Sequence, residues 1–295
     1  MSAVVASETA AYQSAPTTPA LLQAPAHWQS VDFISDLHLQ AGDDATFSVW
    51  RDYMRDSRAD ALFILGDLFE IWVGDDVLDD GADRGTSKAP TVGPGFALQC
   101  AEVLAAAARR MALYFMHGNR DFLLGTAYAN ACGMTLLDDP SVLDFAGQRW
   151  LLSHGDALCL EDRDYMTFRT QVRSKRWQQD FLAKPLTERQ SIGRQLRTES
   201  EARKSSHQVN AVMQVDVDAA AARDWLHAAG TSTLIHGHTH KPAEHDLGKG
   251  QRRIVLSDWD GGASPARACI LRLSKGARDG TAGDALIERL AATSA

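Results

Sequence analysis

The sequence predicts an α/β fold in which helices alternate with buried strands. Two stretches, 47–57 and 96–112, carry apolar residues at helical spacing, and short apolar runs lie between and beyond them. Each run gives way to a polar or glycine-containing segment, and α/β folds place their chemistry at such carboxyl ends of strands. The runs are VDFIS (31–35), ALFIL (61–65), ALYFM (112–116), RWLLS (149–153), STLI (232–235) and IVL (254–256).

Composition and period divide the chain into four parts. Residues 1–28 are rich in Ala, Ser, Thr and Pro without a period, which predicts a disordered extension before a folded domain at 29–275. Within that domain, residues 157–212 show amphipathic helical pieces and no buried strand. We expect this segment, called the insertion below, to stand over the strand ends. Residues 276–295 carry a weak signal and are expected to form a tail.

The bulk composition limits the possible partners. The chain has 295 residues, 45% apolar residues and a formal net charge of -8, enough for one large core or for a core and a small subdomain. An acidic surface repels nucleic acid, so none is expected as a partner, although solubility alone also explains the charge. Four cysteines without a CxxC pair indicate a reducing cytoplasm. No secretory signal and no apolar stretch long enough to span a bilayer are present.

The charge is unevenly distributed along the chain. Between Arg163 and Lys204 there are 11 Lys/Arg residues against 5 Asp/Glu residues. A basic segment on an acidic protein suggests an anionic ligand or an anionic membrane surface. A solvated helix face explains the same composition equally well.

Five polar clusters follow the predicted strands. One cluster alone is a weak signal, but five in this order, each directly after an apolar run, predict a metal centre. Asp36 and His38 are two residues apart, so that their side chains can point the same way in an extended or loop segment and converge on one ion. The clusters contain seven candidate ligands, which are Asp36, His38, Asp67, Asn119, His154, His238 and His240.

The ligand types indicate the metal and the reaction. Carboxylate, amide and imidazole groups without thiolate suit Mn²⁺, Fe or Zn²⁺ better than Mg²⁺ or Ca²⁺. Seven ligands are too many for one catalytic ion and suffice for two, if one carboxylate bridges. Two ions about 3.5–4 Å apart clamp the attacking and leaving oxygens of an in-line displacement at phosphorus. The sequence therefore predicts a dinuclear metal-dependent phosphoesterase.

Neighbours of the ligands are candidates for further roles. Arg120 follows a ligand directly, and its planar guanidinium suits a phosphoryl group, although a salt bridge to Asp121 would also explain it. His236 is predicted to orient a ligand or to protonate a leaving oxygen. Asp121 and Asp156 are interpreted as supporting or loop-capping residues.

At this point the sequence resembles a known family. The clusters are similar to those of the calcineurin-like metallophosphoesterase superfamily. The longer strings FISDLHL, LGDLFEIWVGDD, HGNRDFLLG, GMTLL, HGDALC and IHGHTHKP resemble the UDP-2,3-diacylglucosamine hydrolases of lipid A biosynthesis, from about Val31 to about Asp260. The resemblance implies an αββα sandwich of two mixed β-sheets flanked by helices, with the insertion as a helical lid.

The resemblance also implies roles for the ligands and a reaction. Two Mn²⁺ ions per chain are expected, one held by Asp36, His38 and His240, the other by Asn119, His154 and His238, with Asp67 as the bridge. The family hydrolyses the pyrophosphate of UDP-2,3-diacylglucosamine by water attack on the α-phosphorus. The products are UMP and 2,3-diacylglucosamine 1-phosphate (lipid X). The residues expected to be catalytic are Asp67, Asn119, Arg120 and His236.

Substrate contacts are implied residue by residue. They fall on Asn119, Arg120, Asp162, Ser200 and His238. Where the family has an Asn and a Lys on the helix after the serine, this sequence has Lys204 and His207, which we expect to be substrate neighbours. The resemblance implies that the apolar faces at 165–182, together with Leu186 and Ile192, wall an acyl-chain chamber; packing of the insertion onto the main body is the alternative. An anionic membrane surface then becomes a partner, and we expect peripheral attachment to the cytoplasmic face of the inner membrane.

Two other functions remain open from the residues alone. Another dinuclear metallophosphoesterase, such as a nucleotide phosphodiesterase, a phosphatase or a nuclease, would keep all seven ligands. A non-catalytic scaffold that has lost its metals is the alternative from a different class. All the candidate ligand types and Arg120 are present, which favours an enzyme.

Overall fold

The computed structural model describes residues 19–78, 94–209, 216–276 and 285–292, with the backbone alone for residues 94 and 200–209. Within these residues the chain forms two mixed β-sheets of six strands each. The strands are β1 (Ala20–Gln23), β2 (Ser30–Ile34), β3 (Ala61–Leu65), β4 (Ala112–Met116), β5 (Met134–Leu137), β6 (Ser141–Phe145), β7 (Gln148–Ser153), β8 (Thr233–His236), β9 (Glu244–Gly248), β10 (Gln251–Val255), β11 (Cys269–Ser274) and β12 (Leu286–Ala291).

The strand order explains how the site is assembled. The first sheet runs β1-β6-β7-β8-β10-β9 and the second runs β12-β11-β2-β3-β4-β5. Strands β2, β3 and β4 are parallel neighbours in the second sheet, and β7 and β8 are parallel neighbours in the first. Because the carboxyl ends of parallel strands lie at one edge, the loops that follow each set are brought together.

Seven α-helices occur among the described residues. They are α1 (Asp44–Asp56), α2 (Pro94–Ala108), α3 (Thr126–Cys132), α4 (Arg163–Val172), α5 (Lys175–Leu182), α6 (Leu186–Val209) and α7 (Ala219–Ala229). Short 3₁₀ turns lie at Asp75–Leu78 and Asp156–Leu158. Aspartates cap several helices, as Asp43 does for α1 and Asp218 for α7.

The space between the sheets is filled by side chains from both. Val31 and Phe33 of β2 share a buried cluster with Trp150 and Leu152 of β7. The neighbouring Ile34 belongs instead to the cluster on the helix-covered face of the second sheet. Since both faces of these central strands are covered, their inner residues are mostly apolar on both faces. The exception in β2 is the buried Asp32, which forms an ion pair with Arg272.

Helices cover the two outer faces. Trp50 of α1 and Leu104 of α2 are buried in the cluster formed on the second sheet. On the other side, Leu226 of α7 packs with Leu151 and Leu234 of the first sheet. The layers are therefore helix, sheet, sheet and helix, and the αββα sandwich implied by the sequence is confirmed.

Two segments expected to lie outside the domain form strands. Residues 20–23 form β1, which pairs in parallel with β6 from Ala20–Ser141 to Gln23–Asp144, so order begins before Trp28. Residues 286–291 form β12, paired with β11 along its whole length. The prediction of a disordered extension over 1–28 was therefore wrong for residues 20–23, and the prediction of a tail over 276–295 was wrong for residues 286–291. Both are edge strands, and their pairing depends on the neighbouring strand more than on their own sequence. Residues 1–18 lie outside the described residues.

The insertion consists of α4, α5 and α6, with no strand among its described residues. Phe181 is buried in the core cluster on the helix-covered face of the second sheet, and Trp177, Leu186 and Ile192 pack against that cluster. Trp177 and Phe181 stack with ring centroids 4.7 Å apart. These side chains therefore pack the insertion onto the main body, and an acyl-chain chamber stays a prediction.

A helix spans a bilayer only when it is both long and predominantly apolar. Among the described residues, none combines sufficient length with sufficient apolar character to cross a membrane.

Candidate metal centre

The seven predicted ligands lie in five loops, and main-chain hydrogen bonds join four of these loops in two pairs. The amide of Asp36 donates to the carbonyl of Gly66 over 3.1 Å, and that of His38 donates to the carbonyl of Asp67 over 3.0 Å, which joins the loops after β2 and β3. The amide of Gly237 donates to the carbonyl of His154 over 3.0 Å, which joins the loops after β8 and β7. Within each pair, the main chain therefore fixes one loop relative to the other.

A first group of ligands consists of Asp36, His38 and His240. Their ligand atoms all lie within 4.8 Å of one another. Nε2 of His240 is 3.2 Å from Oδ1 of Asp36 and 3.4 Å from Nε2 of His38. The two imidazoles thus direct a ring nitrogen toward each other and toward a buried carboxylate, which is an arrangement for one ion.

A second group surrounds the amide of Asn119. Its Oδ1 is 3.1 Å from Nε2 of His154 and 2.8 Å from Nδ1 of His238. His154 also belongs to a compact group with Asp36 and Asp67. The structure therefore brings Asn119, His154 and His238 together as the sequence predicted.

Asp67 lies between the two groups. Its Oδ2 is 3.9 Å from Nε2 of His38, and its Oδ1 is 3.8 Å from Nε2 of His154. One carboxylate thus directs its two oxygens toward histidines of different groups. This geometry supports Asp67 as the bridge, while Asp36 is common to both compact carboxylate–imidazole groups.

Five of the seven ligands adopt a left-handed backbone. Their φ angles are 55° at Asp36, 49° at His38, 55° at Asp67, 67° at His238 and 53° at His240. Non-glycine residues rarely adopt such angles, and each costs of order 1–3 kcal/mol that the surrounding structure must offset. Of the extended or loop segment that the sequence suggested, the structure forms the loop, and ligands two residues apart converge through tight left-handed turns.

Glycine is required where loops meet most closely. A Cβ atom on Gly118 would collide with the carboxylate of Asp67, and one on Gly237 would collide with the carboxylate of Asp36. Both glycines precede a predicted ligand in the chain. Their role is to admit a neighbouring ligand, because no side chain larger than hydrogen fits.

The electrostatics of the group suit cations. Burial would raise the pKa of Asp36, but the hydrogen bond with His240 and its charge hold that pKa well below its usual range. Burial would lower the pKa of His154, but the charges of Asp67 and Asp156 raise it to about 9. Burial, followed by the charge of His154, lowers the pKa of His238 to about 3, so this ring is neutral, as a ligand must be.

The hydrogen bonds also test whether metals fit. Nδ1 of His154 donates to the carbonyl of Leu65 over 2.8 Å, so Nε2 is the ring nitrogen that faces Oδ1 of Asn119 and is available to an ion. A divalent ion would replace the proton on Nε2, because a histidine ligand must be deprotonated, and it would be shared with the amide oxygen. The residues present therefore fit a pair of divalent ions.

Arg120 lies beside the ligands and away from its predicted alternative partner. Its main-chain amide donates to Oδ1 of Asp67 over 2.8 Å, and its guanidinium is 3.5 Å from Glu70. Asp121 instead accepts from the amides of Gly118 at 2.8 Å and Leu68 at 2.7 Å. The salt bridge to Asp121 is therefore not formed, and Asp121 fixes the loops as interpreted.

Glu70 is a site residue that the sequence analysis missed. Its Oε2 lies 2.9 Å from Nδ1 of His38, and its Oε1 is 3.0 Å from Nε of Arg197. Burial would raise the pKa of Glu70, but the close contact and charge of His38, with the charges of Arg120 and Arg197, lower it to about 2. The signal available was an acidic residue three positions after Asp67, within GDLFE.

His236 precedes the loop that carries His238. It is fully buried, with Nδ1 2.9 Å from the carbonyl of Gly237 and Nε2 3.3 Å from Arg253. Burial is the main cause that lowers its pKa to about 4. A neutral ring in these contacts is placed to orient the loop of His238, which is one of the two roles predicted for it, and protonation of a leaving oxygen stays a prediction.

Asp156 and Tyr165 connect the insertion to the ligands. Oδ2 of Asp156 accepts from Tyr165 Oη over 2.5 Å and from Arg169 Nε over 2.8 Å. The Tyr165 ring stacks against that of His238 with centroids 5.9 Å apart, a contact that the sequence analysis also missed. Asp162, predicted to contact substrate, is exposed and caps α4 by accepting from the amide of Tyr165. The side chains of Ser200, Lys204 and His207 lie outside the described residues.

Four arginines of the basic segment are directed toward the core. Their side chains are at most 21% exposed, so neither a solvated face nor a free anion-binding surface accounts for them. Each contacts a loop of the main body: Arg169 contacts Asp156, Arg173 the carbonyl of Gly118, Arg189 Asp76, and Arg197 Glu70.

Comparison with known proteins agrees with this geometry. The family model of calcineurin-like phosphoesterases matches residues 30–242. The chain therefore belongs to the calcineurin-like phosphoesterase family and is a hydrolase of the metallophosphoesterase class. The family implies a dinuclear metal site, for which the ligands described above are the candidates.

Within this family, curated relatives indicate a more specific resemblance, to one group of hydrolases. The chain is 45% identical over 240 residues to the UDP-2,3-diacylglucosamine hydrolase of Chromobacterium violaceum, covering 79% of this chain and 92% of the relative. It is 44% identical over 235 residues to the enzyme of the same name from Aeromonas hydrophila, covering 77% and 89%. The resemblance to this group of hydrolases, stated from the sequence motifs, is confirmed.

Solved structures show more distant likenesses. One is a dimetal phosphatase from Danio rerio, at 13% identity and a TM-score of 0.42, covering 83% of this chain and 92% of that chain. Another is Vacuolar Protein Sorting 29 from Cryptosporidium parvum, at 11% identity and a TM-score of 0.38, covering 90% and 98%.

Proposed function

We propose that this protein hydrolyses the pyrophosphate bond of UDP-2,3-diacylglucosamine in lipid A biosynthesis. The products are 2,3-diacylglucosamine 1-phosphate and UMP. The names of relatives up to 45% identical over most of their length support this substrate. The observation that carries the reaction type is the Asp67 carboxylate, whose two oxygens are directed at His38 and His154 in separate ligand groups.

The roles of the side chains follow from their positions. Asp36, His38 and His240 would hold one ion, Asn119, His154 and His238 the other, and Asp67 would bridge. When bound, two Mn²⁺ ions would supply Lewis-acid stabilisation and lower the pKa of water. Arg120 would orient the phosphoryl group that is attacked and neutralise charge that develops on its oxygens. The Asn119 amide and the His238 ring lie beside the ligand groups that Asp67 would bridge, so they would help to position the phosphoryl group.

The proposal also specifies which of the two phosphorus atoms is attacked. We infer attack of water at the α-phosphorus, which breaks the bond to the bridging oxygen and leaves that oxygen on the sugar phosphate. Hydrolysis in ¹⁸O-labelled water followed by mass spectrometry tests it. Label in UMP is the expected result, and label in the sugar phosphate would overturn the assignment.

Substrate recognition is assigned to the insertion. Asp162, Ser200, Lys204 and His207 are the proposed contacts there, in addition to Asn119, Arg120 and His238. The insertion would act as a lid over a lipid, since each buried methylene is worth about 0.8 kcal/mol. Shortening both acyl chains of the substrate should therefore raise KM, and an unchanged KM would exclude an acyl-chain chamber.

We infer peripheral attachment to the cytoplasmic face of the inner membrane, where such a lipid substrate is found. Exposed cations of the insertion support it, such as Arg176 at 94% side-chain exposure. Each surface cation contributes about 1 kcal/mol near an anionic leaflet, and salt screens that attraction. Co-sedimentation with vesicles containing anionic lipid at low and high salt tests this part. Binding that is absent at low salt would overturn it.

A substrate comparison tests the whole proposal. The purified chain loaded with Mn²⁺ is assayed with UDP-2,3-diacylglucosamine, with a chromogenic phosphodiester and with a phosphopeptide. We expect turnover of the lipid nucleotide to exceed the other two by orders of magnitude. Preference for the phosphodiester or the phosphopeptide would instead favour a different dinuclear phosphoesterase. Parallel loading with Mn²⁺, Zn²⁺, Mg²⁺ and Ca²⁺ tests the choice of metal.

A further inference from the structure

The carboxylate of Glu70 contacts three side chains with different roles. Its Oε2 lies 2.9 Å from Nδ1 of His38, on one side. Its Oε1 lies 3.0 Å from Nε of Arg197 and 3.5 Å from a terminal nitrogen of Arg120. A single buried group thus joins a candidate metal ligand, a candidate phosphoryl-binding residue and a residue of α6.

Glu70 is placed to support a ligand and not to be one. Its contact with His38 is to Nδ1, whereas Nε2 of that ring faces His240 at 3.4 Å and Asp67 at 3.9 Å. A carboxylate this close to one imidazole nitrogen favours a proton on that nitrogen and orients the ring, which leaves the other nitrogen as the ligand. Glu70 therefore acts on the ion through His38.

Arg197 reaches two ligand-bearing loops from the insertion. Besides its contact with Glu70, its guanidinium donates to Oε1 of Gln40 over 3.1 Å. Gln40 lies two residues after His38, and Glu70 lies three residues after Asp67. The Arg197 and Glu70 side chains are 19% and 10% exposed, so water screens their attraction less than it would at the surface.

We propose that Glu70 is a positioning residue that couples the seating of α6, through Arg197, to the orientation of His38. The ion affected is the one held by Asp36, His38 and His240, so the inference depends on the metal pair of the proposed function but not on its substrate. With Arg197 in place, the Glu70 carboxylate is held in one orientation toward His38. Without it, the carboxylate keeps the more distant Arg120 and loses that constraint.

Metal binding measured without substrate tests the coupling. The full-length chain, freed of metal, is titrated with Mn²⁺ by calorimetry for the wild type, Glu70→Gln, Arg197→Met and the double variant. We expect two sites in the wild type. In Glu70→Gln the affinity of one site should fall roughly 10–100-fold, as is typical when the partner of a ligand is lost. In Arg197→Met the same site should weaken by a smaller factor.

The double variant distinguishes coupling from general damage. If Arg197 acts through Glu70, the double variant should bind Mn²⁺ no more weakly than Glu70→Gln alone, because the two changes remove one interaction. Arg197→Lys should recover part of the lost affinity, since it keeps a cation near Oε1. Arg176→Met and Glu188→Gln are matched controls on exposed ion pairs of the insertion and should leave both affinities unchanged.

Two results would overturn the inference. Arg197→Met could leave both affinities at the wild-type value, or the two single effects could add in full in the double variant. Circular dichroism and thermal melting identify a variant that fails to fold, and Arg197→Lys then decides the question in its place. A wild type that binds fewer than two ions would contradict the proposed metal pair itself, whereas failure with the lipid nucleotide alone would leave this inference intact.

Discussion

Arg169 of α4 donates a hydrogen bond of 2.8 Å from its Nε to Oδ2 of Asp156, two residues after the ligand His154. The carboxylate is fully buried, and the guanidinium is 21% exposed. This ion pair joins the insertion to a loop of the metal centre. The insertion is therefore attached to the main body at the site itself as well as through its apolar packing.

Replacing Arg169 by Met should destabilise the protein. The change leaves the buried carboxylate of Asp156 with Tyr165 and the more distant Arg173, at 3.7 Å. Breaking a buried ion pair costs about 3–5 kcal/mol, and the remaining partners place the expected loss of unfolding free energy at the lower end. Urea denaturation of the metal-free chain measures it. Arg176→Met, in an exposed pair, should change stability by less than about 1 kcal/mol. Equal losses in the two variants would contradict the prediction.

Replacing Asp67 by Asn should abolish turnover and weaken both metal sites. The amide has the same shape but lacks the charge that both ions would share. The loss of affinity should exceed the roughly 10–100-fold expected for a supporting residue. Metal analysis after Mn²⁺ loading and gel filtration provides the measurement. Near-normal turnover in this variant would remove Asp67 from its role.

Arg120→Ala should lower turnover while metal content stays intact. Removing one group that stabilises transition-state charge costs roughly 10²–10³-fold in kcat. Steady-state kinetics and metal analysis on the same preparation separate the two effects. Loss of metal together with activity would show that Arg120 is structural. Arg120→Lys should be only partly active, because a point charge replaces the planar fork.

Gly118→Ala should impair metal binding although it adds one methyl group. The new Cβ would collide with the Asp67 carboxylate, so Asp67 or the loop of Asn119 must move. Gly95→Ala is the matched control, because a Cβ there meets nothing within 4 Å. Mn²⁺ titration compares the two variants with the wild type. Equal affinities in all three would show that the site tolerates the displacement.

Removal of metal with a chelator should abolish turnover and lower the thermal midpoint. The ions bind the folded chain, so they stabilise it by mass action, by about 2.7 kcal/mol at a free ion concentration one hundred times the Kd. Differential scanning fluorimetry with stepwise addition of Mn²⁺ should show a midpoint that rises with concentration. A midpoint insensitive to Mn²⁺ would argue against a metal centre formed by the native fold.

The sequence predicted the layers, and it predicted which loop residues the structure brings together as candidate ligands, because both depend on local pattern. Continuous apolar runs ending at polar residues located the strands and, with them, the loops that carry Asp36, Asp67 and His154. The left-handed turns that orient the ligands were not predicted, because Asp and His adopt a positive φ more often than most residues but still uncommonly, and residue type alone does not locate such a turn. Glu70 was missed for a related reason, because its contacts with His38 and Arg197 join distant segments.

Composition did not predict the edge strands, nor did it predict which charged side chains are buried. Strand β1 has few local features of its own and forms against β6. The basic segment suggested an outward surface, but four of its arginines contact loops of the main body. A count of charges along a helix does not show whether its charged face is solvated or buried. That depends on whether the rest of the fold places acidic or carbonyl partners against the face.

The candidate metal ligands come from both layers of the sandwich. Asp36, Asp67 and Asn119 follow strands of the second sheet, whereas His154, His238 and His240 follow strands of the first. Cations held between them would cross-link the two sheets at one edge, because coordination bonds resist a sliding motion that apolar packing alone would allow. The metal centre would then also hold the two sheets in a fixed relative position.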